Sequence, residues 1–317
     1  SYAMNNKRIA LLFSGQGAQA VGMGQDLAAA FPSVQAIFAQ ADEQLGFPLS
    51  QSAFQGPFEE LTRTSVCQPA LYVHGVACLT ALRERLPQLE FVATAGLSLG
   101  EFTAHCAAGT FDFTTGLGLV AKRSRYMEEA CNATNGGMAA MIGGDENDVR
   151  GLAAQTDVDV ANLNCPGQIV LSGEASKIAL AVSMAKEAGI RRATTLNVAG
   201  AFHSRLMEPA YQKLSVALAE TEMASPRVPV VCNVDAIPVS QADRIRETLA
   251  EQVTGSVRWT ESIIYLLDEL KVDLFLELGP GAVLAGLVNR IRKDTPVISI
   301  SDVASLDQAV AALTLTE

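Results

Sequence analysis

The sequence predicts an α/β protein: a core with a parallel sheet, interrupted by an inserted ferredoxin-like subdomain. Three observations lead there. Apolar runs at 8–13 ("RIALLF") and 91–95 ("FVATA") read as buried strands, each feeding a Gly-rich turn. Between about 136 and 201 the rhythm changes to β-α-β-β-α-β, the order of a ferredoxin-like unit. The chain has 317 residues, 49% of them apolar, which is enough for a large buried core and excludes disorder as the dominant state.

In chain order, the first run ends in "SGQGAQ", a loop signal. Residues 68–86 carry helical periodicity, and the strand at 91–95 runs through a turn into a helix, "GLSLGEFTAHCAAG". A further helix is expected over 112–131, with Asp112 as its N-cap. In the inserted block, "GMAAMIG", "VDVANLN", "QIVLSG" and "RATTLNV" read as strands, and "DENDVRGLAAQ" and "EASKIALAVSMAKEAG" as helices. Gly136–Gly137 and Gly200 bound it, which predicts a large subdomain from 4–135 and 202–317 around a small one at 136–201. Beyond it come a helix at about 204–222, a strand at about 228–234, helices near 241–253 and 259–270, a strand at 272–278, and a final helix opening in "GPGAVLAGLVNRI".

Composition narrows the function classes. With 23 Lys+Arg and 34 Asp+Glu the formal net charge is −11, the wrong sign for a general nucleic-acid binder. An anionic partner such as CoA or an acidic carrier protein would need a local basic patch. The six cysteines form no C-x-x-C pair, which predicts reduced thiols and a cytoplasmic protein. Three histidines, none near a Cys or carboxylate cluster, argue against a metal site. No run of 18 apolar residues is present, so no membrane span is expected.

Gly96-Leu97-Ser98-Leu99-Gly100 fits G-x-S-x-G between a strand and a helix. Side chains at 96 and 100 would collide across so tight a turn, so glycine is expected at both. The turn would expose the Ser98 hydroxyl at a helix N-terminus, where free N–H groups favour an oxyanion. A serine nucleophile needs a base, usually histidine. His105 lies two helical turns beyond Ser98, roughly 10 Å away. His74 sits mid-helix in an apolar stretch and reads as a packing residue. His203, in the "GAFHSRLM" connection, is the favoured base.

Arg123 shares a helix face with Val120 and Met127. A guanidinium on such a face needs an anion, supplied either by an internal carboxylate or by a substrate. Gly15-Gln16-Gly17-Ala18-Gln19-Ala20 literally fits a dinucleotide fingerprint. The alternative is that this loop offers a backbone N–H to Ser98.

The segments "FSGQGAQAVGMG", "GLSLGE", "GAFHSRLMEPA", "PVVCNVDA" and "ELGPGAVLAGL" together resemble the malonyl-CoA:acyl carrier protein transacylase family of fatty-acid synthesis, whose pattern acyltransferase domains of polyketide synthases share. The resemblance implies an α/β-hydrolase-like core, a malonyl-serine at Ser98, and His203 as base. It implies backbone N–H groups of Gln16 and Leu99 as the oxyanion hole. It assigns Arg123 to the malonyl carboxylate and the main-chain carbonyl of Gln252 to orienting the histidine, so that no Asp is required. It further implies malonyl-CoA as substrate, acyl carrier protein as partner, no bound cofactor and a monomer. Leu97 departs from the family, which usually has His there. Phe202 and Leu99 resemble malonyl-selecting enzymes, in which a ring would crowd an α-methyl branch. The rival expectations are a stand-alone polyketide acyltransferase, a serine hydrolase or thioesterase, a non-catalytic module that docks carrier protein, and a dinucleotide enzyme.

Overall fold

The computed structural model describes residues 6–314, so the expected outer bounds at 4 and 317 lie outside the described residues. Strand β1 (Ile9–Phe13) is buried along its whole length. That is the signature of a central strand covered on both faces, and it is why its residues are continuously apolar rather than alternating. The chain then forms four short helices, α1 (Gln25–Ala30), α2 (Pro32–Leu45), α3 (Leu49–Gln55) and α4 (Phe58–Thr62), before the long α5 (Thr64–Arg85). Strand β2 (Ala93–Gly96), α6 (Gly100–Ala108) and α7 (Phe113–Ala133) follow, with the Asp112 side chain accepting the Thr115 amide as the N-cap.

The next segment is β3 (Gly136–Ile142), α8 (Glu146–Thr156), β4 (Asp159–Cys165), β5 (Gln168–Glu174), α9 (Ala175–Met184) and β6 (Arg192–Thr195). The return segment carries a 3₁₀ turn (Arg205–Met207), α10 (Glu208–Ala219), β7 (Val230–Val231), α11 (Ala242–Glu251), α12 (Trp259–Asp268), β8 (Leu274–Leu278), α13 (Val283–Ile291), β9 (Val297–Ile300) and α14 (Val303–Leu313).

These strands make two sheets. The larger has the order β7-β2-β1-β8-β9 and is parallel throughout. The smaller has the order β4-β5-β3-β6 and is antiparallel throughout, the ferredoxin-like arrangement, with its own core around Met141, Leu152, Leu171 and Ile178. The α/β fold with a parallel and an antiparallel sheet is therefore as expected. Val257 clips the two parts together: its amide and carbonyl bond Ala161 and Leu163 of β4, at 2.8 and 2.9 Å. The loop after α11 is thereby tied to the smaller sheet's edge.

The structure differs from the sequence expectation in several places. The strand expected at 228–234 is only two residues long: Pro229 has no N–H to pair, and the chain turns back at Cys232, whose amide bonds Ile237. The helix opening near 280 is not the last element, because β9 and α14 follow it. Helix α14 begins with a reciprocal cap between Asp302 and Ser305, which the usual Glu/Gln pattern at that position does not reveal. Helix α5 has an 18-residue window of mean hydropathy 1.3, long and apolar enough to cross a membrane by composition. That window is 83% buried within the protein, so the helix is apolar all round because it fills the core.

Candidate active site

The carboxyl ends of parallel strands are where open α/β sheets gather ligands. Here Phe13 of β1 pairs with Gly96 of β2, and Ala95 pairs with Val231 of β7. The turns after these strands bring Gly15, the Leu97–Ser98 turn and Asn233 together.

The elbow has the geometry its glycines predict. Ser98 has φ 57°, a left-handed conformation that costs energy for a non-glycine residue. A Cβ at Gly96 would lie 1.9 Å from the Gly100 carbonyl, and one at Gly15 would lie 2.4 Å from the Leu97 oxygen. Only glycine at 15 lets the first loop press on the elbow. Asn233 clamps the same turn: its Oδ1 accepts the Ser98 amide at 2.8 Å, and its Nδ2 donates to the Gly96 carbonyl at 2.8 Å.

His203 reaches Ser98 across 105 residues. The Ser98 hydroxyl lies 2.7 Å from His203 Nε2. The opposite nitrogen, Nδ1, lies 2.6 Å from the Gln252 main-chain oxygen. A carbonyl cannot donate, so Nδ1 carries the proton and Nε2 is free to accept the serine proton. Gln252 caps the C-terminus of α11, where helix carbonyls lack intrahelical partners and the dipole is negative. That end favours an imidazolium when one forms. His203 itself has φ 56°, a second strained residue at the same spot. Burial, and then the Arg123 charge, pull its pKa down to about 4, so it is neutral at physiological pH.

Arg123 is 1% exposed and all its partners are neutral. Its Nη2 donates to Ser98 Oγ at 3.1 Å and to Gln252 Oε1 at 2.7 Å, and its Nη1 donates to Gln68 Oε1 at 2.7 Å. Its guanidinium lies over the Phe102 ring at 5.5 Å. It forms no ion pair among the described residues, and its Nε has no partner there. Burial lowers its pKa to about 10, with Glu101 pulling the other way. Of the two sources of an anion left open by the sequence, the internal ion pair is not present among the described residues. A buried cation hydrogen-bonded only to two amide oxygens and a hydroxyl is poised for an incoming carboxylate.

The amides of Gln16 and Leu99 donate to no other group among the described residues. Leu99 opens the first turn of α6, whose dipole favours negative charge. Phe202, next to His203, is buried in the larger core, and Leu97 packs partly buried against the core on the other sheet face. The remaining histidines stand apart. His74 Nε2 donates to the Ser301 carbonyl at 2.9 Å, and His105 Nδ1 contacts the Thr110 hydroxyl at 2.8 Å. Burial pulls both low, to about 4 and about 3.

The dinucleotide expectation finds no support in the geometry. Its fingerprint needs a helix opening directly from the Gly-rich turn. Here the Gln19 side chain accepts the Gly17 amide, and the next helix begins only at Gln25. Asp42 lies inside α2 and accepts the Ser50 amide.

Sequence reasoning missed four participants: Gln68, Glu101, Asn233 and the side chain of Gln252. Gln68 was a polar residue in an apolar helical run, and Glu101 followed the elbow directly. Those were the available signals.

The chain is similar to known proteins over nearly its whole length. The acyl transferase domain family model matches residues 10–310. A malonyl CoA-acyl carrier protein transacylase of Bacillus subtilis is 42% identical over 311 residues, covering 96% of this chain and 97% of that protein. A polyketide biosynthesis malonyl CoA-acyl carrier protein transacylase of the same organism is 40% identical over 291 residues, covering 90% of this chain and 98% of that one. A solved malonyl-transacylase, in complex with a type II polyketide acyl-carrier protein, superposes with a TM-score of 0.92 at 38% identity, covering 96% of this chain and 99% of that one.

Proposed function

The chain belongs to the acyl transferase family, and on that premise we propose that it moves a malonyl group from malonyl-CoA to the phosphopantetheine thiol of an acyl carrier protein, supplying fatty-acid or polyketide chain building. The observation that carries this reading is the convergence on one hydroxyl. Ser98 Oγ lies 2.7 Å from an unprotonated His203 nitrogen and 3.1 Å from a buried arginine that makes no direct ion pair among the described residues.

In the first half-reaction His203 Nε2 takes the Ser98 proton, and Oγ attacks the malonyl thioester carbonyl. The Gln16 and Leu99 amides hold the oxyanion. The tetrahedral intermediate collapses, the C–S bond breaks, and His203 returns the proton to the departing CoA sulfur. In the second half-reaction the carrier thiol gives its proton to His203 and attacks the malonyl-serine. The ester bond breaks and Ser98 recovers its proton. The Gln252 carbonyl orients the imidazole in place of a carboxylate, and Arg123 grips the malonyl carboxylate. The Phe202 ring narrows the acyl pocket. Six free cysteines, five of them buried, suit a reducing cytoplasm.

Arg123→Ala is the test of the substrate. Malonyl transfer should fall on the order of 10²-fold while acetyl transfer falls far less, since only the malonyl chain carries the anion that Arg123 holds. Full retention of malonyl over acetyl preference in that variant would overturn the assignment. A hydrolase would instead release malonate at the same speed with and without carrier protein.

The pH profile tests the base. A neutral imidazole is required, and its pKa is held near 4. The acid limb of kcat/KM should therefore centre near pH 4, with most of the plateau rate kept at about pH 5.5. A limb centred near the ordinary histidine value of about 6.5 would count against His203 in its buried setting.

A further inference from the structure

Glu101 is wholly buried three residues beyond Ser98, on the first turn of α6. Its Oε1 accepts two bonds, from the Asn233 main-chain amide at 3.1 Å and from Gln252 Nε2 at 3.2 Å. Both donors belong to groups that shape the site. Asn233 clamps the elbow, and the Gln252 main chain orients His203.

The Gln252 side chain is a two-ended connector. Its Nε2 donates to Glu101 Oε1 and, at 2.9 Å, to the Ser98 carbonyl. Its Oε1 accepts from Arg123 at 2.7 Å. An amide can be turned end for end, and the reversed form would point an NH₂ at the Arg123 guanidinium. What prevents the reversal is that two acceptors, Glu101 Oε1 and Ser98 O, hold the NH₂ end.

We propose that Glu101 is a positioning residue that sets the acyl selectivity of the enzyme, because its Oε1, together with the Ser98 carbonyl, holds the Gln252 amide in the one orientation that presents an oxygen to Arg123. The inference rests on the reading of Arg123 as the malonyl-carboxylate group. With the oxygen end of Gln252 facing it, the guanidinium is held between Gln68 and Gln252 beside the Ser98 hydroxyl. With the amide reversed, donor faces donor, and the guanidinium swings off the line of the substrate carboxylate. Burial pushes the Glu101 carboxyl up to about 7, against the pull of its two hydrogen bonds and Arg123. Oε1 accepts in the ionised acid and, more weakly, in the acid protonated on Oε2, so the device works on both sides of that value and is strongest above it. Oε2 has no partner among the described residues, so a proton there breaks no hydrogen bond.

The test is the rate of acyl-serine formation from malonyl-CoA and from acetyl-CoA, followed by intact mass on the full chain. Glu101→Met removes the acceptor at similar volume and should lower the malonyl:acetyl ratio by about tenfold or more. Glu101→Gln keeps an acceptor oxygen and should restore the ratio to within about threefold of wild type. Gln252→Met keeps the carbonyl that orients His203 and should reproduce the Glu101→Met ratio. The double variant should lose little more, because the two residues act as one unit. If Glu101→Met does not fold, Gln252→Met alone decides, and an unchanged ratio in it sinks the proposal. Equal loss of malonyl and acetyl rates in Glu101→Met, or failure of Glu101→Gln to restore the ratio, also overturns it. Arg123→Ala separates the two readings. A collapsed ratio there beside an intact one in Glu101→Met removes only the role of Glu101, whereas an intact ratio in Arg123→Ala removes both.

Discussion

Ser98→Ala should leave no acyl adduct after mixing with malonyl-CoA, and transfer to carrier protein should fall on the order of 10⁴-fold or more. The size follows from what the hydroxyl does. It is the atom that forms the new bond, and it sits where His203 Nε2, the Arg123 guanidinium and the α6 N-terminus converge. Removing the oxygen leaves the other three in place, so substrate should still bind with KM changed far less than kcat. His203→Ala should produce a loss of similar order. The double variant should be little worse than either single one, since base and nucleophile serve one step. Intact mass spectrometry and steady-state rates on the same samples check both quantities. A malonyl adduct persisting on Ser98→Ala would remove Ser98 as the nucleophile.

Gly96→Ala should be the most damaging conservative change in the fold. The added methyl carbon would sit 1.9 Å from the Gly100 carbonyl carbon and oxygen, and 2.5 Å from the Glu101 amide. These are backbone atoms of a buried turn, clamped by Asn233, and no side chain can rotate away to relieve the overlap. The cost is about 3 kcal/mol or more, which lowers the melting temperature by roughly 4–5 °C or more in a chain of 317 residues. Activity should fall with it, because the only relief is to move the elbow that aims Ser98. Gly151→Ala is the matched control. It lies within α8 with nothing in reach of an added methyl. There the change should be neutral or stabilising by up to about 1 kcal/mol. A Gly96→Ala protein melting within about 2 °C of the parent would show the elbow to be far softer than its packing implies.

Much of this protein was readable in one dimension because the relevant physics is local. Strand β1 is apolar at every position because it is covered on both faces, so its run needed no partner to be recognised. The G-x-S-x-G turn was legible because its glycines avoid clashes within five consecutive residues. The cap at Asp112 and the alternation of strands and helices from 136 to 201 were legible for the same reason: each depends on neighbours a few positions away. Residues 25–62 were less legible. Four helices of five to fourteen residues there leave little periodicity to count, and they are stabilised by packing on α5 rather than by a strong pattern of their own.

Local sequence determined the strands, the elbow and the candidate roster of Ser98, His203 and Arg123, because excluded volume, backbone strain and apolar periodicity act over a handful of residues. Only the tertiary structure decided who faces whom. Nothing in the neighbourhood of Gln252 announces that its two ends divide between Arg123 and Glu101, or that its carbonyl meets His203. Those pairings join segments about 50 to 150 residues apart. A hydrogen bond is made or lost within a few tenths of an ångström, so such partnerships exist only once the sheet and its return segment have brought the chain into register.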